Sequence, residues 1–324
     1  MLDLRHISLA RRGARGRLPV PPKGGFQVRR QQCLAFVFAW ALCLCGAALA
    51  AERLLLEKQS PYNTILVSEN ENGLRILRFE PGGARQTVVR LGDPDHLELP
   101  YARATPVAFI HVERPRRVLV VGLGGGTIPS FLRQRFPDLV IDAVELDPGV
   151  VEVAKSHMGF REDANLRAHV EDGRRFIERT VRPYDIIFLD AFGADSVPYS
   201  LTTREFLQSV RRALTPRGVV VGNIWSRTYN PLYDAMLRTY LAVFDEVSVL
   251  DVATAGNHLV VATPWKPALS REETLRRAAA LTRSLPLRHD LERMVERGLQ
   301  RAAPAAGARI LVDAEPPREN SRIR

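Results

Sequence analysis

The chain has 324 residues, enough for one full domain core with additions, and carries a formal net charge of +10. The excess is local: residues 1–32 hold a net +7 and leave +3 for everything after them, so no nucleic-acid partner is expected. Cys33, Cys43 and Cys45 fall in one N-terminal apolar run and the histidines form no helical H-x-x-x-H pair, so neither a disulfide framework nor a metal site is expected.

Residues 1–27 are rich in Arg, Gly and Pro and read as disordered. Arg29 and Arg30 then precede the apolar run CLAFVFAWALCLCGAALAA, closed by Ala48-Leu49-Ala50 ahead of Ala51. This order fits an export signal, with residues 1–27 as extra sequence before it. An uncleaved membrane anchor is the second reading, because the run approaches the ~20 residues a spanning helix needs. The chain is therefore expected to be exported or membrane-associated through 33–51, with a cytoplasmic location as the alternative. A twin-arginine signal lacks its downstream pattern, and a buried core helix would show a polar face.

From residue 52 the pattern changes to short β-type runs, Thr64 to Val67, Leu74 to Phe79 and Thr87 to Leu91. Asn72-Gly73 and Pro81-Gly82-Gly83 separate them as turns, which predicts a small antiparallel sheet over 52–100. A helix is expected from Tyr101 to His111, with Pro106 against its first half.

Residues 118–147 carry the clearest signal. An apolar run ends in Gly122, followed by Gly124, Gly125 and Gly126, an amphipathic segment, and a second apolar run ending in Glu145. Strand, glycine turn, helix and strand in that order open a doubly wound parallel sheet. Glycines let the backbone approach a ligand, and an acid at the tip of the second strand accepts ribose hydroxyls. The dinucleotide fingerprint fails in register, since its third glycine falls on Thr127, and Pro129 offers no N–H. A nucleoside sulfonium such as S-adenosylmethionine is favoured over NAD.

Alternation continues with strands at Leu166 to Val170, Tyr184 to Leu189, Val219 to Ile224, Glu246 to Val252 and His258 to Ala262. Helices are expected between them, the one from Thr202 stopping at Pro216-Arg217-Gly218. The fold class is α/β: a doubly wound, mostly parallel seven-stranded Rossmann-like sheet of class I methyltransferase type over 101–265, behind the small sheet. Residues 266–324 read as surface helices, with Leu275, Ala279, Leu287, Leu291 and Met294 inward, and a mobile tail from Ala302.

Ligands in such a sheet sit at the carboxyl ends of the strands. Gly122 to Gly126, Glu145, Asp172 with Gly173, and Asp190 all fall there. Glu145 suits ribose hydroxyls, Asp172 suits an adenine amino group, and Asp190 falls beside the reacting carbon. One acidic strand end alone would be a solvated residue or a cap.

Across residues 55–265 the chain resembles the spermidine synthase family, the polyamine aminopropyltransferases. The resemblance is carried by Ser60, Tyr62, Ile65 and Val67, by Gln86 and Tyr101, and by VELD at 144–147, EDGRRF at 171–176 and DAF at 190–192. It implies decarboxylated S-adenosylmethionine as co-substrate and an aminopropyl group passed to a small amine. Glu145 would hold ribose, Asp172 adenine, and Asp190 would orient or deprotonate the amine. Gln86, Tyr101 and Asp195 would contact substrate, and a homodimer through the leading sheet is implied.

The departures fall on the polyamine half. The family's glycine loop has an aspartate where Gly125 stands, and its D-x-x-D pair keeps Asp190 but meets Gly193, with Asp195 two places on. Asn63 stands for a glutamine and Ala102 follows Tyr101. DAFGADSVP followed by SLTTREF looks like the spermidine synthase-like domains attached to bacterial membrane proteins. Three functions stay open: aminopropyl transfer to an altered acceptor, methyl transfer from intact S-adenosylmethionine, and non-catalytic nucleoside binding at the membrane.

Overall fold

A computed structural model describes residues 52–193, 196–252, 256–267, 269–285 and 287–316. The basic leader, the apolar run 33–51, Asp195 and the tail beyond 316 lie outside them. Among the described residues no helix is long and apolar enough to cross a membrane.

The small sheet consists of β1 (Arg53–Gln59), β2 (Thr64–Glu69), β3 (Leu74–Arg78) and β4 (Thr87–Arg90), antiparallel in chain order. Gly73, at φ 70°, closes the turn between β2 and β3 as its Asn-Gly signal predicts. β1 goes beyond the expected strands. Its Leu54-Leu55-Leu56 run does not alternate, and the pairing with β2 shifts register between Leu54 and Leu56, a bulge that hides the period of two. Ile65, Val67, Leu77, Phe79 and Val89 bury this sheet against Val150, Val153 and Met158.

The expected helix at 101–111 is divided. α1 (Pro100–Ala104) runs into a 3-10 turn at Thr105–Ile110, tightened where Pro106 withholds its N–H. The main sheet follows with β5 (Arg117–Val121), α2 (Thr127–Arg135), β6 (Val140–Glu145), α3 (Pro148–His157), β7 (Leu166–Val170), α4 (Gly173–Glu178) and β8 (Tyr184–Leu189). α5 (Arg204–Ala213), β9 (Leu214–Trp225), α6 (Tyr233–Val243), β10 (Glu246–Asp251) and β11 (Asn257–Thr263) complete the alternation, and α7 (Arg271–Ser284), α8 (Leu291–Gly298) and β12 (Leu299–Arg301) come last. The strand order is β12-β10-β11-β9-β8-β5-β6-β7, parallel from β9 through β7 and antiparallel on the other side.

Seven of these strands are the expected ones; β12 adds an eighth at the edge, three residues that sequence reading places in a helix. Pro216-Arg217-Gly218 is not a free loop but an irregularity within β9: Tyr184 pairs Leu214, the register shifts, and Ile186 pairs Val219. Alternate strand residues enter two cores. Val118, Val120, Ile141, Ile186 and Phe188 face one layer, Leu119, Val121, Val144 and Ile187 the other. Burial on both faces is why these strands read as continuous apolar runs.

The tail needs a correction. Residues 302–316, expected to be mobile, are anchored: Leu311 is buried against the second core, its N–H donates to Thr239 Oγ1 at 2.9 Å, and its carbonyl accepts from the Arg204 N–H at 2.8 Å.

Candidate active site

At the carboxyl edge of β5, β6 and β8 lies a cleft of about 670 Å³, within the roughly 300–1,000 Å³ usual for small-molecule sites. Gly122, Gly124, Glu145, Asp172, Gly173 and Asp190 line it, with Gln86 and Tyr101 from the segment before the main sheet. Glu80 and Asp147 bring its carboxyl groups to five, and no lysine, arginine or histidine is among the described residues that line it. Exposed Tyr62 and Leu146 supply apolar surface.

The glycines divide into two kinds. Gly122, at φ 96°, lies where the chain leaving β8 passes, and a Cβ there would stand 2.4 Å from the Asp190 carbonyl oxygen. No other residue allows that approach, which brings the first strand's end beside Asp190. Gly125 and Gly126 are outside the lining. The Gly125 N–H donates to Thr87 Oγ1 at 2.9 Å, and a Cβ on Gly126 would strike Phe160 at 2.5 Å. These two shape the turn rather than face a ligand.

Glu145 is tied to that turn. Its Oε2 accepts the Leu123 N–H at 3.0 Å and its Oε1 the Asp147 N–H at 3.1 Å. Burial nonetheless raises its pKa, the backbone donors opposing that only in part. Oε2 also takes the Gly124 N–H at 3.5 Å, so Oε1 is the oxygen that keeps a lone pair for a ligand hydroxyl. Asp172 is an N-cap as well as a wall: one oxygen accepts the Arg175 N–H at 2.9 Å at the start of α4. Gly173 admits the side chain of Val121, which a Cβ would meet at 2.4 Å.

Asp190 sits at the cleft floor, partly open to it and otherwise ringed by protein. Burial pushes its carboxyl up to about 7, opposed by the Asn223 amide, whose Nδ2 donates to Oδ1 at 2.8 Å. The Tyr101 hydroxyl donates to the Gln86 carbonyl at 3.3 Å and stands within reach of Asp190. Burial first, then the Asp190 charge, holds this phenol well above its usual range. Gly193 also lines the cleft, and a Cβ there would find its nearest neighbour at 3.6 Å. Asp195 lies outside the described residues.

Three contributors escape sequence reading. Asp147, within the VELD stretch, is 1% exposed and accepts from the Asn63 Nδ2 at 3.0 Å, the Gly149 N–H at 2.8 Å and the Ser60 hydroxyl, so it locks the small sheet to α3. Thr87 closes the glycine turn from β4. Asn223 carries a faint signal, a polar residue inside the apolar run of β9.

The chain matches the spermine/spermidine synthase domain over residues 104–253. It is 32% identical over 244 residues to the polyamine aminopropyltransferase of Vibrio vulnificus, covering 74% of this chain and 81% of that protein. It belongs to the spermine/spermidine synthase family. A second kind of relative is the eEF1A lysine and N-terminal methyltransferase of Homo sapiens, 35% identical over 187 residues, 54% of this chain but 27% of that protein. Among solved structures, the spermidine synthase of Thermotoga maritima superposes with a TM-score of 0.59 at 20% identity, over 78% of this chain and 85% of that one. Human methyltransferase-like protein 13, solved in complex with SAH, gives 0.50 at 33% identity over 58% and 89%. The α/β fold of this spermine/spermidine synthase family member is thus similar to that of a spermidine synthase and of a methyltransferase-like protein.

Proposed function

We propose that the chain binds an adenosyl sulfonium, decarboxylated S-adenosylmethionine foremost, and passes its aminopropyl group to an amine. The observation that carries this reading is the charge of the cleft: five carboxyl groups and no basic side chain among its described residues, in a chain that carries a net +3 after residue 32. An acidic hollow of this size favours a ligand that is itself cationic, and both a sulfonium and an amine are.

Glu145 would hold the ribose hydroxyls, Asp172 the adenine amino group through the oxygen its cap leaves free, and the backbone at Gly122 and Gly124 would lie along the nucleoside. Gln86, Tyr101 and, from sequence alone, Asp195 would meet the amine end. The donor supplies a carbon already activated by positive sulfur, whose bond breaks as the amine nitrogen attacks. Asp190 holds the amine in line and takes its proton, work suited to a carboxyl poised near neutrality.

Methyl transfer from intact S-adenosylmethionine is the second reading. It is favoured by Gly125, whose N–H is committed to Thr87 and whose Cβ position is filled by Thr87 Cγ2 at 2.7 Å, so no carboxylate reaches the donor's amine from there. Arg29, Arg30 and the Ala48-Leu49-Ala50 sequence support export or membrane attachment.

The nucleoside by-product separates the two chemistries. Incubation with decarboxylated S-adenosylmethionine and a panel of amines is expected to release methylthioadenosine. Release of S-adenosylhomocysteine from the intact cofactor instead would establish the second reading, and release of neither would refute both.

A further inference from the structure

We propose that Asn223 and Asn257 are positioning residues, a two-amide relay that holds the Asp190 carboxyl in the orientation that meets the acceptor. The inference rests on the reading of Asp190 as the group that meets the amine.

The relay follows from the topology. β8, β9 and β11 are neighbours; β8 and β9 end at the cleft edge, and antiparallel β11 begins there. Asp190 just past β8, Asn223 near the end of β9 and Asn257 at the start of β11 therefore fall in a row. Asn257 Nδ2 donates to Asn223 Oδ1 at 3.0 Å, and Asn223 Nδ2 donates to Asp190 Oδ1 at 2.8 Å.

Each bond dictates the other. An ionised carboxylate only accepts, so Asn223 must turn its NH₂ toward Asp190 and its oxygen toward Asn257. Reversing the amide would set oxygen against oxygen on one side and NH₂ against NH₂ on the other. Both asparagines are nearly closed to solvent, at 6% and 7% exposure, so water does not relieve the mismatch. The bond to Oδ1, with the Tyr101 hydroxyl beside the same carboxyl, fixes the plane in which Asp190 meets an incoming amine. The donated bond also favours the ionised carboxyl against the burial that opposes it. The titratable group facing Asp190 from α1 is Tyr101; no described lysine, arginine or histidine lines the cleft.

The test is the titration of the Asp190 carboxyl by carbon NMR in the full chain, its signal identified by its loss in Asp190→Asn. It is paired with the pH profile of kcat/KM. In Asn223→Ala the carboxyl is expected to titrate about one unit higher. Asn257→Ala should shift it the same way by less, and the double variant should match Asn223→Ala alone. Methylthioadenosine affinity reports folding and should hold within about threefold. An unmoved carboxyl in both single variants, or shifts that sum in the double, would overturn the relay. The NMR readout needs no turnover, so a relay that titrates as expected in a chain that transfers nothing refutes the reading of Asp190 as base and not the relay.

Discussion

The Ser60 hydroxyl donates to the Asp147 carboxylate across the joint between the small sheet and α3. The same carboxylate takes the Asn63 amide and caps α3 at the Gly149 N–H, so one buried side chain fixes both the joint and the Ser60 to Asn63 wall of the cleft. Removing it leaves the Asn63 amide and the Gly149 N–H without partners, at about 1–3 kcal/mol for each that water cannot reach, while the Ser60 hydroxyl still has the Asn63 carbonyl at 3.0 Å. Asp147→Ala should lower the Tm by about 5–10 °C in differential scanning calorimetry. Methylthioadenosine affinity should fall at least tenfold with the loosened wall. Unchanged affinity would show the joint to be structural only.

Burial of the Asp190 carboxyl costs stability wherever that group is ionised. Its carboxyl titrates near 7 when folded against an ordinary value of 3.8, so the folded chain holds a proton that the unfolded chain has lost between pH 4 and 7. Stability therefore falls as pH rises through that window and stays lowered above it. Asp190→Asn should raise the Tm at pH 8, give no gain at pH 3, reduce transfer by ~10²-fold or more, and leave nucleoside affinity within about threefold. Calorimetry at the two pH values and a transfer assay check the pair of effects.

The buried histidines pull the other way. Burial lowers His111 to about 4, with both ring nitrogens unpartnered, and lowers His289 to about 4 as well. The unfolded chain binds these protons near pH 6.5 and the folded chain does not until about 4, so stability drops as pH falls across that interval. Thermal scans from pH 6.5 to 4 should show His111→Leu gaining Tm relative to the parent chain as the pH falls.

The two lost family acids are not equivalent. At Gly193 an added side chain finds room, its Cβ 3.6 Å from the nearest atom, whereas at Gly125 it meets Thr87 at 2.7 Å and Met158 at 3.0 Å. Gly193→Asp should fold with an unchanged Tm and bind a diamine about tenfold more tightly, the order of one charge-assisted contact. Gly125→Asp should lose stability without that gain. Calorimetric titration with putrescine distinguishes them.

The C-terminal strap sets the far wall. Asp313 receives the Arg174 Nη1 at 2.8 Å and the Thr203 hydroxyl at 2.7 Å, while the Tyr199 hydroxyl donates to the Glu315 carbonyl at 2.8 Å. The segment thus holds the turn whose Pro198, Ser200 and Leu201 face the cleft. Asp313→Ala should raise the acceptor KM severalfold and leave nucleoside affinity unchanged, as steady-state kinetics and calorimetry can show, since a partly exposed pair contributes about 1 kcal/mol.

Much of this was legible in the chain itself. Parallel strands buried on both faces write continuous apolar runs, and the rule that ligands meet their carboxyl ends brings Glu145, Asp172 and Asp190 together without coordinates. What stayed hidden depends on contacts distant in sequence. Gly122 and Gly126 look alike until Asp190 is seen behind one and Phe160 behind the other. The strap joins residues more than a hundred positions apart, and β12 is a strand only because β10 offers it an edge. Asn223 hides in a run that burial alone explains, its partners supplied by two other strands.

The account rests on an adenosyl sulfonium seated among these carboxyl groups, and isothermal calorimetry on the purified chain tests it most directly. Titration with decarboxylated S-adenosylmethionine, S-adenosylmethionine and methylthioadenosine is expected to give one site per chain, weakened at least tenfold by Glu145→Ala. A chain that binds none of the three, or binds them equally well without Glu145, contradicts it.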